Sequence, residues 1–349
     1  MKSTKKMLKH VLGMSFLIGM SSSVFAEIVM NPASNNSGYA QISWSSEDAE
    51  RLLNGDTANS TETSPAGSVN VTKTVRNSSS TQQPTSNTTQ VLDTARSSSQ
   101  PAIQARAALL MDAQTGEVLF SKNANSRLPI ASITKLMTAV VTADARLNMS
   151  EEITLQQIDF AGAGGKNSSS TLRVGDKMNR AEVLLFALMK SENPAAAALA
   201  RTYPGGRNAF YAAMNAKAKS LGMTSTHYME STGLDPRNVS SARDLGILVS
   251  TASQYSLIRQ FSTTPTYDFN LGYRVLKSNN TNSLVRNGGW NINISKTGYI
   301  NEAGRCVVMH TTLNNRPAVV VILGAQSTQD RNQDAVSLMN WASNLHKSI

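Results

Sequence analysis

Three short stretches carry residue types suited to acyl chemistry: Ser132-Ile133-Thr134-Lys135, Ser191-Glu192-Asn193 and Lys296-Thr297-Gly298. A serine and a lysine three apart on a helix share one face. A serine in the first turn also feels the positive field of the helix N-terminus, which favours negative charge on its oxygen. Together they pair a nucleophile with a base. Spacing alone does not select them, because Ser3 and Lys6 repeat it and an N-cap serine beside a surface lysine has the same pattern. Ser-x-Asn occurs five times, at Ser34, Ser68, Ser121, Ser191 and Ser278. Ser191 differs in position: its polar triplet lies between the apolar "EVLLFALMK" and "PAAAALA" and reads as a loop, suited equally to chemistry or to capping a helix. Lys-Thr-Gly occurs once. Lys296 fits a solvated strand residue whose stem covers apolar surface, or a placed cation. Gly298 weakens a strand unless another backbone must approach closely.

These residues need elements to position them. Strand-like Ala107–Met111 and Val118–Ser121 flank "DAQTG" and predict a hairpin. "RLPIASITKLMTAVVTADARL" predicts a helix starting near Ser132. A helical middle follows in "RAEVLLFALMK", "NPAAAALART", "GRNAFYAAMNAKAKSLG" and "SARDLGILVSTASQY". Three strand-like runs, Ile292–Tyr299, Gly304–Leu313 and Ala318–Leu323, precede a final amphipathic helix, "DRNQDAVSLMNWASNLH". The simplest arrangement is α+β: one five-stranded antiparallel sheet flanked by helices, with an inserted helical lobe and a cleft where lobe meets sheet.

The chain has 349 residues. Lys2, Lys5, Lys6 and Lys9, the run "VLGMSFLIGM" and the small residues before Val24-x-Ala26 read as a secretory signal peptide over residues 1–26. The apolar run is too short to span a bilayer, so no transmembrane anchor is expected. Residues 27–104 are rich in Ser, Thr, Asn and Gln and read as a disordered tether, leaving 105–349 as the folded domain. The formal charge is +10, of which the leader supplies four lysines and no acid, so the remainder stands at +6. Its basic residues are scattered, which does not support nucleic-acid binding. Cys306, in "RCVVMHTTL", reads as a small buried hydrophobe. His227, His310 and His346 lie far apart, so neither a metal site nor a cofactor is expected.

A hydroxyl on a helix start, a polar loop and a cationic strand follow one another along the chain. With "RLPIASITKLMTA", "MKSEN", "STGLDPRNVSSARDL" and "SKTGYINEAG", residues 105 to 349 resemble the penicillin-recognising serine D,D-peptidases, and their endopeptidase type most of all. The resemblance implies a β-lactamase/transpeptidase-like fold. It makes Ser132 the nucleophile and Lys135 the base, with the lysine's pKa lowered by burial and by Lys296 as a second cation. It implies that Ser191 bridges the two lysines and passes a proton to the leaving amine, and that Asn193 holds the substrate backbone. Lys296 and Thr297 suit the carboxylate of D-Ala or of a β-lactam, and Gly298 lets an extended peptide lie against the strand edge. The backbone N–H groups of Ser132 and Tyr299 form the implied oxyanion hole. Glu192 departs from the commoner Gly or Asp, and its side chain is expected to point away from its neighbours in the motif.

The implied reaction is acylation of Ser132 by a D-Ala carbonyl, then hydrolysis, with no cofactor. The expected partners are peptidoglycan stem peptides and cross-links, with β-lactam antibiotics as covalent inhibitors, and the expected compartment is the periplasm. Three other readings are a D-alanyl-D-alanine carboxypeptidase, a class A-like β-lactamase and a non-catalytic murein-binding protein. Against the lactamase, "HYMESTGLDPRN" offers Glu230 but not a Glu-x-x-Leu-Asn loop. Against the carboxypeptidase, only about fifty residues follow Gly298, and the closing helix lacks the cations of a membrane-surface helix.

Overall fold

Residues 318–325, "AVVVILGA", are apolar at every position, as a strand covered on both faces must be. The computed structural model describes residues 100–162 and 169–345. The expected signal peptide, and the tether up to residue 99, lie outside the described residues. The chain begins with a hairpin of β1 (Ala107–Asp112) and β2 (Val118–Lys122), then the two-residue β3 (Leu128–Pro129). A single 3-10 turn at Ala131–Ile133 runs into α1 (Thr134–Asp144). The lobe follows with β4 (Glu152–Thr154), a 3-10 turn at Gln157–Phe160, β5 (Lys177–Asn179) and α2 (Arg180–Leu185). The end of α2 widens into a π turn at Phe186–Lys190, and α3 (Asn193–Arg201) and α4 (Gly206–Ser220) come next. Then come β6 (Val239–Ser240), α5 (Ala242–Ala252), α6 (Ser256–Thr263), the hairpin β7 (Thr266–Asn270) and β8 (Val275–Asn279), and α7 (Ser283–Asn287). Strands β9 (Asn291–Ile300), β10 (Gly304–Leu313) and β11 (Arg316–Ala325) and helix α8 (Thr328–Leu345) close the fold.

The main sheet has the order β2-β1-β11-β10-β9 and is antiparallel throughout. The expected α+β architecture is therefore present, with five strands and an inserted helical lobe. Pairing of Ala107 with Leu323 and of Asp112 with Ala318 joins the first strand to the last. Alternate residues of β1 and β11 serve opposite layers. Leu109, Val319 and Val321 pack in the core that includes α1 and α5, whereas Leu110, Val320 and Ile322 meet Leu338 and Met339 of α8. Strand β9 is left at the sheet edge, facing the lobe.

The sequence reading missed three two-stranded sheets, β3-β6, β4-β5 and β7-β8. These strands are two to five residues long and mix polar with apolar residues, so no period is legible in them. The packed body also starts slightly early. Ile103 is buried, and the carboxylate of Asp334 accepts from the backbone N–H groups of Gln104 at 3.0 Å and Ala105 at 2.8 Å. In the lobe, Asn179 and Glu182 cap α2 reciprocally, which satisfies two backbone donors at its start.

One glycine fixes the start of α1. Gly233, on the loop after α4, has φ +86°, and a Cβ there would lie 2.0 Å from the carbonyl oxygen of Ala131. Backbone meets backbone at this point, with no flexible side chain to move aside. Gly233→Ala is expected to cost at least about 2 kcal/mol. For a domain of this size that lowers Tm by roughly 4–8 °C. A melting curve superimposable on the wild type would show that the loop withdraws freely and does not brace α1.

Candidate active site

The chain enters α1 through Ala131, which holds φ +48°, a left-handed conformation that side-chain-bearing residues rarely adopt. This bend places Ser132 half-buried at the helix start and Lys135 one turn on, fully buried. The Lys135 ammonium nitrogen donates to Ser132 Oγ at 2.9 Å, to Asn193 Oδ1 at 2.6 Å and to the carbonyl of Thr232 at 2.6 Å. Burial drives its pKa down to about 7, against the opposing pull of the Glu230 and Glu192 carboxylates. A hydroxyl bonded to an amine that is half unprotonated near neutrality is a nucleophile with its base in place.

Ser191 ends the π turn in a left-handed conformation with φ +64°, its N–H bonded back to Phe186 O. Such single wide turns are frequent at functional sites. The turn releases the chain so that Asn193 starts α3 and its amide reaches Lys135. Ser191 Oγ accepts from Lys296 Nζ at 2.7 Å. Ser191 therefore meets Lys296 and not Lys135, which corrects the expected bridge between the two lysines. The Lys135 ammonium has its bonds filled by Ser132, Asn193 and Thr232.

Lys296 comes from the edge strand β9 and is 1% exposed, so it is not a solvated strand residue. Its ammonium also donates to the carbonyl of Thr297 at 2.9 Å. Its pKa lies well below the ordinary lysine value, through burial first, then the charges of Lys135 and of Arg331 on α8. Burial is the leading cause of the lowering at both lysines, and repulsion between two buried ammonium groups disfavours charge on either one. Thr297 Oγ1 donates to Thr281 Oγ1 at 2.7 Å, while the Thr281 N–H bonds Met189 O, tying the strand to the π turn.

Gly298 answers to the start of α1. A Cβ on it would lie 3.0 Å from Ser132 N and from Ile130 O, so the edge strand and the Ser132 amide are in backbone contact. Tyr299 projects to the other face, half exposed, with Arg305 stacked on its ring at 3.6 Å. Glu192 is buried and turned away from the cleft, as expected. It accepts from Ser170 Oγ at 2.5 Å, Thr171 Oγ1 at 2.6 Å and Thr171 N at 3.2 Å.

Seven residues of the three motifs, Ser132, Lys135, Ser191, Asn193, Lys296, Thr297 and Gly298, thus come together at one cleft edge, while the side chains of Glu192 and Tyr299 turn away. The sequence reading missed Thr232, Glu230, Thr281 and Arg331. Thr232 acts through its backbone carbonyl, which no side-chain pattern reveals. Glu230 shapes the loop that presents it, accepting from Gly233 N at 2.6 Å and Asn238 Nδ2 at 3.0 Å. Cys306 is buried among apolar residues with its thiol pKa pushed up to about 11, and takes no part. Among the described residues, no group of His, Cys, Asp and Glu is arranged to hold a metal ion.

Comparison with known proteins agrees with this geometry. The Peptidase_S11 family, described as D-alanyl-D-alanine carboxypeptidase, matches residues 94–327. A D-alanyl-D-alanine endopeptidase of Pseudomonas aeruginosa is 47% identical over 249 residues, 69% of this chain and 78% of that protein. A D-alanyl-D-alanine endopeptidase of Escherichia coli K12 is 44% identical over 257 residues, 71% of this chain and 80% of its own length. Among solved structures, the Streptomyces K15 DD-transpeptidase superposes with a TM-score of 0.63 at 29% identity, covering 69% of this chain and 98% of that one. The chain belongs to the Peptidase_S11 family of serine peptidases.

Proposed function

We propose that the protein is a D-alanyl-D-alanine endopeptidase that hydrolyses peptide cross-links of peptidoglycan through an acyl-enzyme on Ser132, and that β-lactams acylate the same serine. The observation that carries this reading is the buried Lys135 amine, which donates to Ser132 Oγ at 2.9 Å with its pKa lowered to about 7. As Ser132 Oγ attacks the D-Ala carbonyl carbon, its proton passes to Lys135. The oxyanion is held by the N–H groups of Ser132 and Tyr299. The C–N bond then breaks as the leaving amine takes the proton held on Lys135, which returns Lys135 to its unprotonated form, while Lys296 holds Ser191 beside the same cleft. Water attacks the ester, the deprotonated amine again serves as base, and Ser132 is restored. Lys296 and Thr297 face the substrate carboxylate, and Asn193 the peptide backbone. The endopeptidase choice rests on the names of the two relatives above and on how much of their lengths this chain spans. The expected secretory leader and a cell-wall substrate both support a periplasmic location. Among the described residues, no helix is long and apolar enough to cross a membrane.

Ser132→Ala is expected to abolish both hydrolysis of purified cross-linked muropeptides and covalent labelling by a β-lactam. Label retained by that variant would place the nucleophile elsewhere. In the wild type, cross-linked dimers should be cut faster than terminal D-Ala is trimmed from pentapeptide monomers. The reverse order would make the enzyme a carboxypeptidase.

The pH profile tests the base. Lys135 works unprotonated, so the acylation rate should fall about tenfold per pH unit below about 7 and level off above it. Lys135→Arg cannot unload its proton and should lose about 10²–10⁴-fold in acylation. Because burial is the leading cause of the lowered value, Lys296→Ala should leave the midpoint well below the ordinary lysine value while raising KM for carboxylate-bearing substrates. A return of the midpoint to the ordinary lysine value in that variant would make Lys296 the leading cause.

A further inference from the structure

Residues 229–238, between α4 and β6, form a loop fastened more tightly than a connection requires. The Glu230 carboxylate turns back into its own loop. One oxygen accepts from Thr232 N at 2.5 Å, and the other from Gly233 N at 2.6 Å, Asn238 Nδ2 at 3.0 Å and Asp235 N at 3.5 Å. Asn238, fully buried, closes the clasp. Its Oδ1 accepts from Met229 N at 2.7 Å, and its Nδ2 also donates to Glu230 O at 2.9 Å and to Thr134 Oγ1, next to Lys135, at 3.1 Å. Ser231 adds a bond to each neighbouring helix. Its carbonyl accepts from Thr138 Oγ1 of α1 at 2.7 Å, and its hydroxyl donates to Ala196 O of α3 at 3.0 Å. Between these fastenings the Thr232 carbonyl is left facing the Lys135 amine at 2.6 Å.

The same carboxylate is a charge beside the base. Around Lys135 stand Glu230 from this loop, Glu192 from just before α3 and Lys296 from β9, and of the two carboxylates Glu230 acts on the amine more strongly. Farther along these elements the charges are ion-paired, Arg207 of α4 with Asp159 and Arg237 with Asp235. A nearby opposite charge favours the charged form of a group. A carbonyl that accepts from an ammonium makes a charge-assisted bond, stronger than one from a neutral donor. Both effects are greatest as Lys135 takes the Ser132 proton. Interactions that strengthen at that point, and not those present equally in the resting state, accelerate the chemical step.

We propose that Glu230 is a positioning residue for the acyl transfer: it clasps the loop so that the Thr232 carbonyl meets the Lys135 amine, and its charge stabilises the ammonium formed when Ser132 loses its proton. Glu230 works through the Thr232 backbone and through its field, with its oxygens turned to its own loop and not to an attacking water. The assignment rests on the function proposed above.

The test follows the rate of labelling by benzylpenicillin against pH in the wild type and two variants. Glu230→Gln keeps the length of the side chain and removes its charge. Its midpoint should move below the wild-type value of about 7, and its plateau rate should fall roughly tenfold or more, the scale of one lost hydrogen bond to a charged group. Glu230→Asp keeps the charge and shortens the reach, so its plateau should fall while its midpoint stays closer to the wild type's. With cross-linked muropeptides, kcat should drop more than KM rises in both variants. A merely structural residue would lower the amount of folded enzyme and leave the midpoint in place. A folded Glu230→Gln protein with the wild-type midpoint therefore overturns the assignment. Should that variant melt far below the wild type, Glu230→Asp decides, and a plateau rate equal to the wild type's overturns the assignment equally. If the wild type itself takes no label, the functional reading falls and this assignment with it.

Discussion

A lysine amine buried from bulk solvent is the constraint on which this molecule turns. Removing an ammonium from solvent disfavours its charged form, and here that cost lowers the Lys135 pKa to about 7. The enclosure has to be complete, yet the amine must still be bonded. Ser132, Asn193 and Thr232 meet both needs, each delivered by a different segment. Glu230 and Glu192 lie near enough to oppose the shift, but Glu230 spends its oxygens on backbone N–H groups of its own loop and Glu192 on the hydroxyls of Ser170 and Thr171. The amine therefore keeps a tuned proton affinity without a salt bridge that would hold it charged.

That arrangement requires unusual backbone at two points. Ala131 and Ser191 both adopt left-handed conformations, and both stand close in the chain to a residue that touches Lys135. Such residues persist only where their surroundings over-determine them. Around Ala131 the determinants are two glycine backbones, Gly233 from the lobe and Gly298 from the sheet edge. Around Ser191 they are the π turn behind it and the Lys296 ammonium before it. The strain is held by backbone contacts and buried ion chemistry, so the site is rigid where the reaction happens.

The sequence made much of this legible. The long apolar strands and the amphipathic helices announce the main sheet and the lobe, because burial on one or two faces leaves a period. The three motifs announce the cleft only together, through their order on a helix start, a loop and a strand, because the first two spacings recur elsewhere in the chain. What stayed hidden has a common physical cause. The contact of Thr232 with Lys135 uses a carbonyl that every residue possesses, and the short sheets of the lobe are too brief to show alternation. The hydrogen-bond partners of the two lysines also could not be read, since only the folded cleft brings Asn193 and Thr232 to Lys135 and Ser191 to Lys296.

The pairing of the first strand with the last has a consequence for how the molecule comes into being. Ala107 and Leu323 are neighbours in the sheet although more than two hundred residues of chain separate them. Loop closure on that scale slows folding. Strand β9, which supplies Lys296 and the backbone beside Ser132, is placed only when β10 and β11 bind it to β1. An incomplete chain emerging from synthesis has its serine and first lysine early, but no wall to hold them and no enclosure to unload the amine. Hydrolytic competence thus arrives with the final hairpin, in one cooperative step, and an unfinished molecule is chemically silent.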